Sequence, residues 1–291
     1  MEKAAIIGAN GQLGSDIVEA FKEGYEVFPL THGDIEVSEM ASVSSVLEKL
    51  QPDVIINTAA YHDLKKCEAN PGIAFAVNTL GAKNLAQWCK SRGALLVHIS
   101  TDYVFDGKKR TPYAEEDIPR PVNMYGITKL GGELAIQAIH ERHVIVRTGG
   151  LYGTHPCRGK PAKNFVEMFL ELIRDKEVVE FGGDEVCSPT FTEPLAKQIR
   201  KIVDFNVTGI FHVTTKGSCS WFEFGEEIIR QTDSRTRLVK RAKGQAGAQP
   251  EIIRPGYTVL ENRRIEELGI NMMPHWRDAL REYLLKRRQT Q

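Results

Sequence analysis

The sequence lacks any long apolar run. None of its 291 residues fall in a stretch approaching the ~20 apolar residues of a membrane span. The apolar run Lys3–Ile7 near the N-terminus is too short for a signal peptide. Charge of one sign is not in excess: 38 Lys plus Arg balance 38 Asp plus Glu. That balance argues against a nucleic-acid or anionic-membrane partner. Cysteine is sparse, odd in number and scattered (Cys67, Cys89, Cys157, Cys187, Cys219), with no C-x-x-C pair. Neither a zinc site nor a disulfide framework is indicated, and the expectation is a cytoplasmic protein with reduced thiols. No G-x-S-x-G elbow is present, which removes the usual hydrolase nucleophile. No internal repeat of solenoid type occurs.

What is present is alternation. Lys3–Ile7, Tyr25–Leu30, Asp53–Asn57, Ala94–Ser100 and His143–Arg147 read as strands. Between them lie helical patterns at Gln12–Phe21, Val43–Leu50 and Ala74–Cys89, and a helix running from Tyr125 toward Ile139. The repeated β-α order predicts an α/β fold: a doubly wound, Rossmann-type parallel sheet with helices on both faces. After Gly150 the character changes, and a smaller, mixed C-terminal substrate domain is expected. The predicted division is 1–150, with 188–216 returning to the first domain, against 151–187 and 217–291. Within the second part, helices are expected at Phe165–Arg174, Glu193–Val203 and Trp221–Ile229 and a strand at Thr208–Thr214. Loops are expected at Gly182–Pro189 and Arg241–Gln249. Trp276, Leu280 and Leu284 make a core stripe on a last helix, with Lys286–Arg288 in a solvated tail.

Gly8-Ala-Asn-Gly11-Gln-Leu-Gly14 follows the first strand and opens the first helix. Glycines at this spacing let the backbone turn tightly and approach a pyrophosphate, which the helix N-terminus then attracts. Such a loop in this context predicts a dinucleotide. The second strand ends Phe28-Pro-Leu-Thr-His32 without the acid that commonly holds the ribose hydroxyls. Asp34 is available from the following loop, and His32 is compatible with a 2′-phosphate. NAD and NADP both stay open.

Tyr125 and Lys129 lie four residues apart, on one side of a helix. A phenol titrates near ~10, and a neighbouring ammonium lowers that value. The fourth strand ends in Ser100 and Thr101, at the carboxyl edge where open α/β sheets bind ligands. The three features together predict convergence of Ser100, Thr101, Tyr125 and Lys129 over one cofactor.

With the glycine loop, these motifs resemble an extended short-chain dehydrogenase/reductase. The stretches Gly11–Gly14, Ser100–Gly107, Tyr125–Glu133, Ser188–Thr190, Gly209–His212 and Arg254–Tyr257 resemble, in order and over residues 1 to about 285, the dTDP-4-dehydrorhamnose reductase family. The resemblance implies NAD(P)H-dependent reduction of the C4 ketone of dTDP-4-dehydro-L-rhamnose. It implies Tyr125 as general acid, Lys129 as holder of the nicotinamide ribose and depressor of the tyrosine pKa, and Thr101 as a hydrogen-bond partner of the substrate oxygen. Cofactor contacts would come from Gly8, Asn10, Gly11, Gln12, Leu13 and Gly14, from Asp34 and Ile35, and from Ala59, Ala60, Tyr61, His62 and Asn78, besides Tyr125 and Lys129. Leu64, Thr101, Asp102, Tyr103, Gly150 and Arg254 would surround the nucleotide sugar. A homodimer fits the resemblance. Some relatives bridge their dimer with a metal through clustered acids, and no such cluster can be placed on this chain, so no metal is expected.

The chain departs from the family pattern at three places, one of them Asp184-Glu185, where the family shows Asp-Gln. Where the family shows Arg-Thr-Ser-Trp-Val-Tyr-Gly, this sequence has Arg147-Thr-Gly149-Gly150-Leu-Tyr-Gly153, so a tryptophan that packs on the substrate is missing. An acid after the third strand has become Lys65. A dehydratase of the same superfamily would have Glu at position 103, where this chain has Tyr. A nucleotide-sugar epimerase uses the same Tyr and Lys. A non-catalytic, NADP-binding regulatory subunit, resembling the methionine adenosyltransferase β subunit, would keep the same residues. His140 and His143 have no third ligand nearby and are expected at the surface.

Overall fold

The structure is a computed structural model that describes residues 1–156, 163–241 and 252–289. Its first element is β1 (Glu2–Ile7), followed by helix α1 (Gln12–Phe21), β2 (Tyr25–Leu30), helix α2 (Met40–Leu50) and β3 (Val54–Asn57). A short helix α3 (Leu64–Ala69), a long helical run, β4 (Leu95–Thr101), the Tyr125 helix (Met124–Ile139) and β5 (His143–Thr148) complete the first half. The strands form a six-stranded sheet in the order Gly209–His212, β5, β4, β3, β1, β2, and every pairing is parallel. The order in which successive strands are added reverses between β1 and β3, which opens a crevice beyond their carboxyl ends.

Strands buried on both faces need apolar residues throughout, and β1, β3 and β4 supply them. On one face Ile6, Ile56 and Val97 pack with Leu13, Ile17 and Phe21 of α1 and with Leu195 and Ile199 of the Thr192–Asp204 helix. On the other, Ile7, Ile55 and Leu96 pack with Val43 and Leu47 of α2 and with Leu85 and Trp88. A third cluster lies in the later part of the chain, where Tyr152, Phe169, Phe191, Phe224, Trp276 and Tyr283 pack together.

Several elements differ from the sequence expectations. The helix expected over 74–89 is longer, running from Pro71 to Arg92, and widens into a π-helical turn at Ala76–Leu80. The last strand of the sheet is Gly209–His212, shorter than the apolar run suggested. The stretch 182–189, expected as loop, contains a two-residue strand, Val186–Cys187, paired antiparallel with Cys219–Ser220. His140 and His143 are buried, contrary to expectation. His140 Nε2 lies 2.8 Å from the Ala94 carbonyl, and His143 begins β5 inside the sheet. The basic cluster near the C-terminus is no solvated tail either. It lies on the Trp276–Gln289 helix, where Lys286 pairs with Glu193 and Glu282, and Arg287 Nε meets Glu167 at 2.6 Å. Apart from Arg241, the expected loop at 241–249 falls outside the described residues.

Candidate active site

The crevice is lined first by the glycine loop. Gly8 turns with φ +81°, and its N–H donates to the Leu30 carbonyl at 2.8 Å. A Cβ on Gly14 would lie 2.1 Å from the Gly8 carbonyl oxygen, so only glycine lets α1 start this close to β1. Gly11 caps α1 without a side-chain hydrogen bond, and no acid sits in its first turn. The amides of that turn are therefore oriented toward an incoming anion. Gln12 Nε2 is buried beside them without a partner among the described residues. These features fit the pyrophosphate of a dinucleotide.

At the end of β2, Asp34 bonds back to its own loop. Its carboxylate accepts from Thr31 N–H at 2.8 Å and from the Thr31 hydroxyl at 2.7 Å, and those bonds hold it below the usual carboxylate range. His32 is 87% exposed and lies 3.3 Å from Glu36. Ile35 is a core side chain, and its N–H donates to the Thr31 carbonyl. Leu13 is also core, so its contribution to the loop is through the backbone.

The segment after β3 is held from behind. Asn78, on the π-helical turn, accepts from Tyr61 N–H at 2.8 Å and donates to the Tyr61 carbonyl at 2.9 Å. It donates also to the Thr128 hydroxyl at 3.0 Å. Asn78 thus fixes the half-buried stretch Ala59–His62 against the Tyr125 helix and is itself 1% exposed. It acts on the crevice through that segment. Leu64 begins α3 and is half-buried.

The Tyr125 helix is anchored at its N-terminus. Asn123 accepts from Gly126 N–H at 2.9 Å, and Glu68 of α3 accepts from Met124 N–H at 2.8 Å. The Thr101 hydroxyl is hydrogen-bonded to the Tyr125 phenol and lies 3.1 Å from Asp102 Oδ1. Tyr103 meets Tyr125 edge-on, with ring centroids 6.0 Å apart. Burial raises the Tyr125 phenol well above its ordinary value, the Thr101 bond opposes this, and the Asp102 charge adds to it. Burial also pushes Asp102 up to about 6, against hydrogen bonds from Thr258 and Thr101. Lys129 is brought down to about 8 by burial, with Glu133 pulling the other way. The expected lowering of the tyrosine by its lysine is not found in this structure. Lys129 Nζ turns into the sheet, 2.5 Å from the Ile99 carbonyl and 3.1 Å from His98 Nε2.

Behind the site, Arg147 of β5 forks onto Glu133 with Nη2 to Oε2 at 2.7 Å, and Ser100 donates to the same carboxylate. Both charged partners are almost fully buried. Ser100, expected to face the cofactor, therefore belongs to this supporting pair.

The space around Gly149 and Gly150 is occupied by other groups. A Cβ at Gly149 would lie 2.4 Å from the Asp102 carboxyl carbon, so that carboxyl occupies the space. Beside Gly150, at φ +59°, the indole edge of Trp221 lies 3.4 Å from where a Cβ would be. Trp221 is half-buried and packs on Phe165 with centroids 4.5 Å apart. The sequence offers no local signal for this, because Trp221 reaches the site from the N-terminus of a distant helix. Arg254 is exposed near Tyr103, and its charge partly offsets the rise of the Tyr103 phenol caused by burial and Asp102. Lys65 lies exposed on α3, at the rim. Among the described residues, no group of three or more His, Cys, Asp or Glu could hold a metal ion, and no helix is long and apolar enough to cross a membrane.

The family profile described as RmlD substrate binding domain matches residues 2–289. The spore coat polysaccharide biosynthesis protein SpsK of Bacillus subtilis is 38% identical, over 99% of this chain and 98% of that protein. A dTDP-4-keto-6-deoxy-D-glucose reductase of Streptomyces niveus is 36% identical over 94% of each. A crystal structure of dTDP-4-dehydrorhamnose reductase from Bacillus anthracis in complex with NADP superposes with a TM-score of 0.90. It is 32% identical and covers 98% of this chain and 99% of its own.

Proposed function

Because the chain belongs to the dTDP-4-dehydrorhamnose reductase family of extended short-chain dehydrogenases/reductases, we propose that it is an NADPH-dependent reductase of the C4 ketone of a dTDP-linked deoxysugar, with dTDP-4-dehydro-L-rhamnose as substrate. The observation that carries the reading is the cluster of Tyr125, Thr101 and Asp102 at the carboxyl end of β4, with Thr101 Oγ1 3.1 Å from Asp102 Oδ1. NADP in the similar Bacillus anthracis enzyme supports the choice of cofactor, as does the engagement of Asp34 with Thr31.

Bound NADPH supplies the hydride. The protein's own part is to hold the ketone and to deliver a proton. The raised Tyr125 phenol is protonated at neutral pH, which suits a general acid more than a base. As negative charge develops on the substrate oxygen, that oxygen takes the Tyr125 proton, and Thr101 keeps the phenol aimed. Asp102 fixes the Thr101 hydroxyl from the far side. Trp221, whose indole edge lies beside Gly150, would offer an aromatic surface to the sugar nucleotide, and the exposed Arg254 suits its diphosphate. Residues 151–187 and 217–291 would form the substrate unit.

The test is NADPH oxidation with dTDP-4-dehydro-L-rhamnose, run beside dTDP-4-keto-6-deoxy-D-glucose and GDP- and CDP-linked keto sugars. Turnover of the first sugar is expected. Turnover of none of them would overturn the assignment.

A further inference from the structure

The sheet register places Asn57 of β3 directly beside His98 of β4. Both are buried, at 1% exposure each. Asn57 Oδ1 accepts from Ala59 N–H at 3.1 Å, which turns its amide nitrogen toward His98 Nδ1, also at 3.1 Å. An amide nitrogen can only donate, so His98 Nδ1 is the bare, accepting nitrogen. In a neutral ring the proton then sits on Nε2, and Nε2 points at Lys129 Nζ. An ammonium has no lone pair to receive that proton, whereas an amine has one. The amine form satisfies every group in the line: it accepts from His98 and donates to the Ile99 carbonyl.

We propose that His98 is a positioning residue: fixed by Asn57 as its Nε2–H tautomer, it donates to Lys129 and favours the neutral amine of that lysine in the cofactor-free protein. The other groups facing Lys129 leave the balance to His98. Glu133, one turn along the same helix, attracts a proton to Lys129, but its carboxylate is already forked by Arg147 of β5. Tyr125, one turn back, is held as neutral phenol. The downward displacement of Lys129 and the strong downward displacement of His98 have the sign this arrangement requires. The consequence for catalysis rests on the reading of Tyr125 and Lys129 given above. An anionic cofactor in the crevice favours the ammonium, so around and above pH 8 the share of Lys129 that is amine takes up a proton as the cofactor enters.

Two measurements test this, and neither uses a sugar, so their failure is distinct from failure of the reductase assignment. The first is ¹⁵N NMR of the wild-type histidine rings, with His98 identified by its loss in His98→Gln. A protonated Nε2 with a bare Nδ1 is expected; a protonated Nδ1 or an imidazolium would overturn the proposal. The second is the proton balance of NADP⁺ binding, from calorimetry in two buffers of different ionisation enthalpy across the range around pH 8. The wild type should take up protons. In His98→Gln the side-chain oxygen can face Lys129 and accept from the ammonium, so the uptake should move up by about one pH unit. Identical uptake profiles in the two proteins would overturn the proposal. A purely structural role would weaken binding without moving the profile.

Discussion

Gly149 and the Asp102 carboxyl share one volume: a Cβ at residue 149 would lie 2.4 Å from the carboxyl carbon and from Oδ2. Asp102 in turn meets the Thr101 hydroxyl, which hydrogen-bonds Tyr125. The smallest substitution at a residue with no chemistry of its own should therefore reach the proton donor. Gly149→Ala is expected to displace the carboxyl and lower kcat by roughly 10²-fold, as misplacements of about 1 Å do, while NADPH affinity stays near that of the wild type. Steady-state kinetics with a fluorescence titration of NADPH checks both.

Tyr125→Phe removes the acid and keeps the ring that packs on Tyr103. A loss of roughly 10²–10⁴-fold in kcat is expected, with cofactor binding retained. Full activity in this variant would remove Tyr125 from the mechanism.

Trp221→Ala addresses substrate binding alone. KM for the nucleotide sugar should rise about tenfold, equivalent to ~1.4 kcal/mol, with kcat nearly unchanged. A fall in kcat at constant KM would show that the indole supports Gly150 and not the substrate.

Asp102 makes a pH-dependent contribution to stability. Its folded-state value of about 6 stands above the ordinary 3.8, so between these values the native state binds more protons than the unfolded chain. Stability from this group falls as pH rises through that window, and the cost is complete above about 6. Asp102→Asn should stabilise the protein by on the order of 1–3 kcal/mol at neutral pH and give no gain near pH 4. Denaturant melts at the two pH values read the difference, and an equal gain at both would contradict the burial of a charged carboxylate.

Arg147→Met leaves Glu133 buried without its partner. A loss of about 3–5 kcal/mol is expected, and the double variant with Glu133→Leu should recover part of it. Chemical denaturation of the wild type, the two single variants and the double variant forms the cycle.

The sheet and its glycine loop were legible in the sequence because their signals are local. A short apolar run, glycines at fixed spacing and a helical pattern declare themselves within about fifteen residues. Tyr125, Lys129 and Thr101 were legible for the same reason, as motif positions. The direction in which Lys129 points was not, because it is set by His98 and Ile99 on another strand. The resemblance assigns Asn78 to the cofactor site; the engagement of its amide by Tyr61 and Thr128 through a π-helical turn was not legible, because no periodicity announces that turn. His140 and His143 read as surface residues because polar side chains usually are, yet backbone carbonyls inside the fold hold both rings. The contact between Gly150 and Trp221 lay furthest from view, since the two are brought together only by packing.

The strand Gly209–His212 bears on how the chain is made. It pairs with β5 across Val144–Arg147, so one side of β5 has no strand neighbour until residue 212 has left the ribosome. A nascent chain that ends anywhere from residue 149 to 208 carries an open parallel edge of buried, β-branched sequence, the kind that joins other chains. Stalled or truncated products from that interval should collect in the insoluble fraction, and products extending past the strand should not.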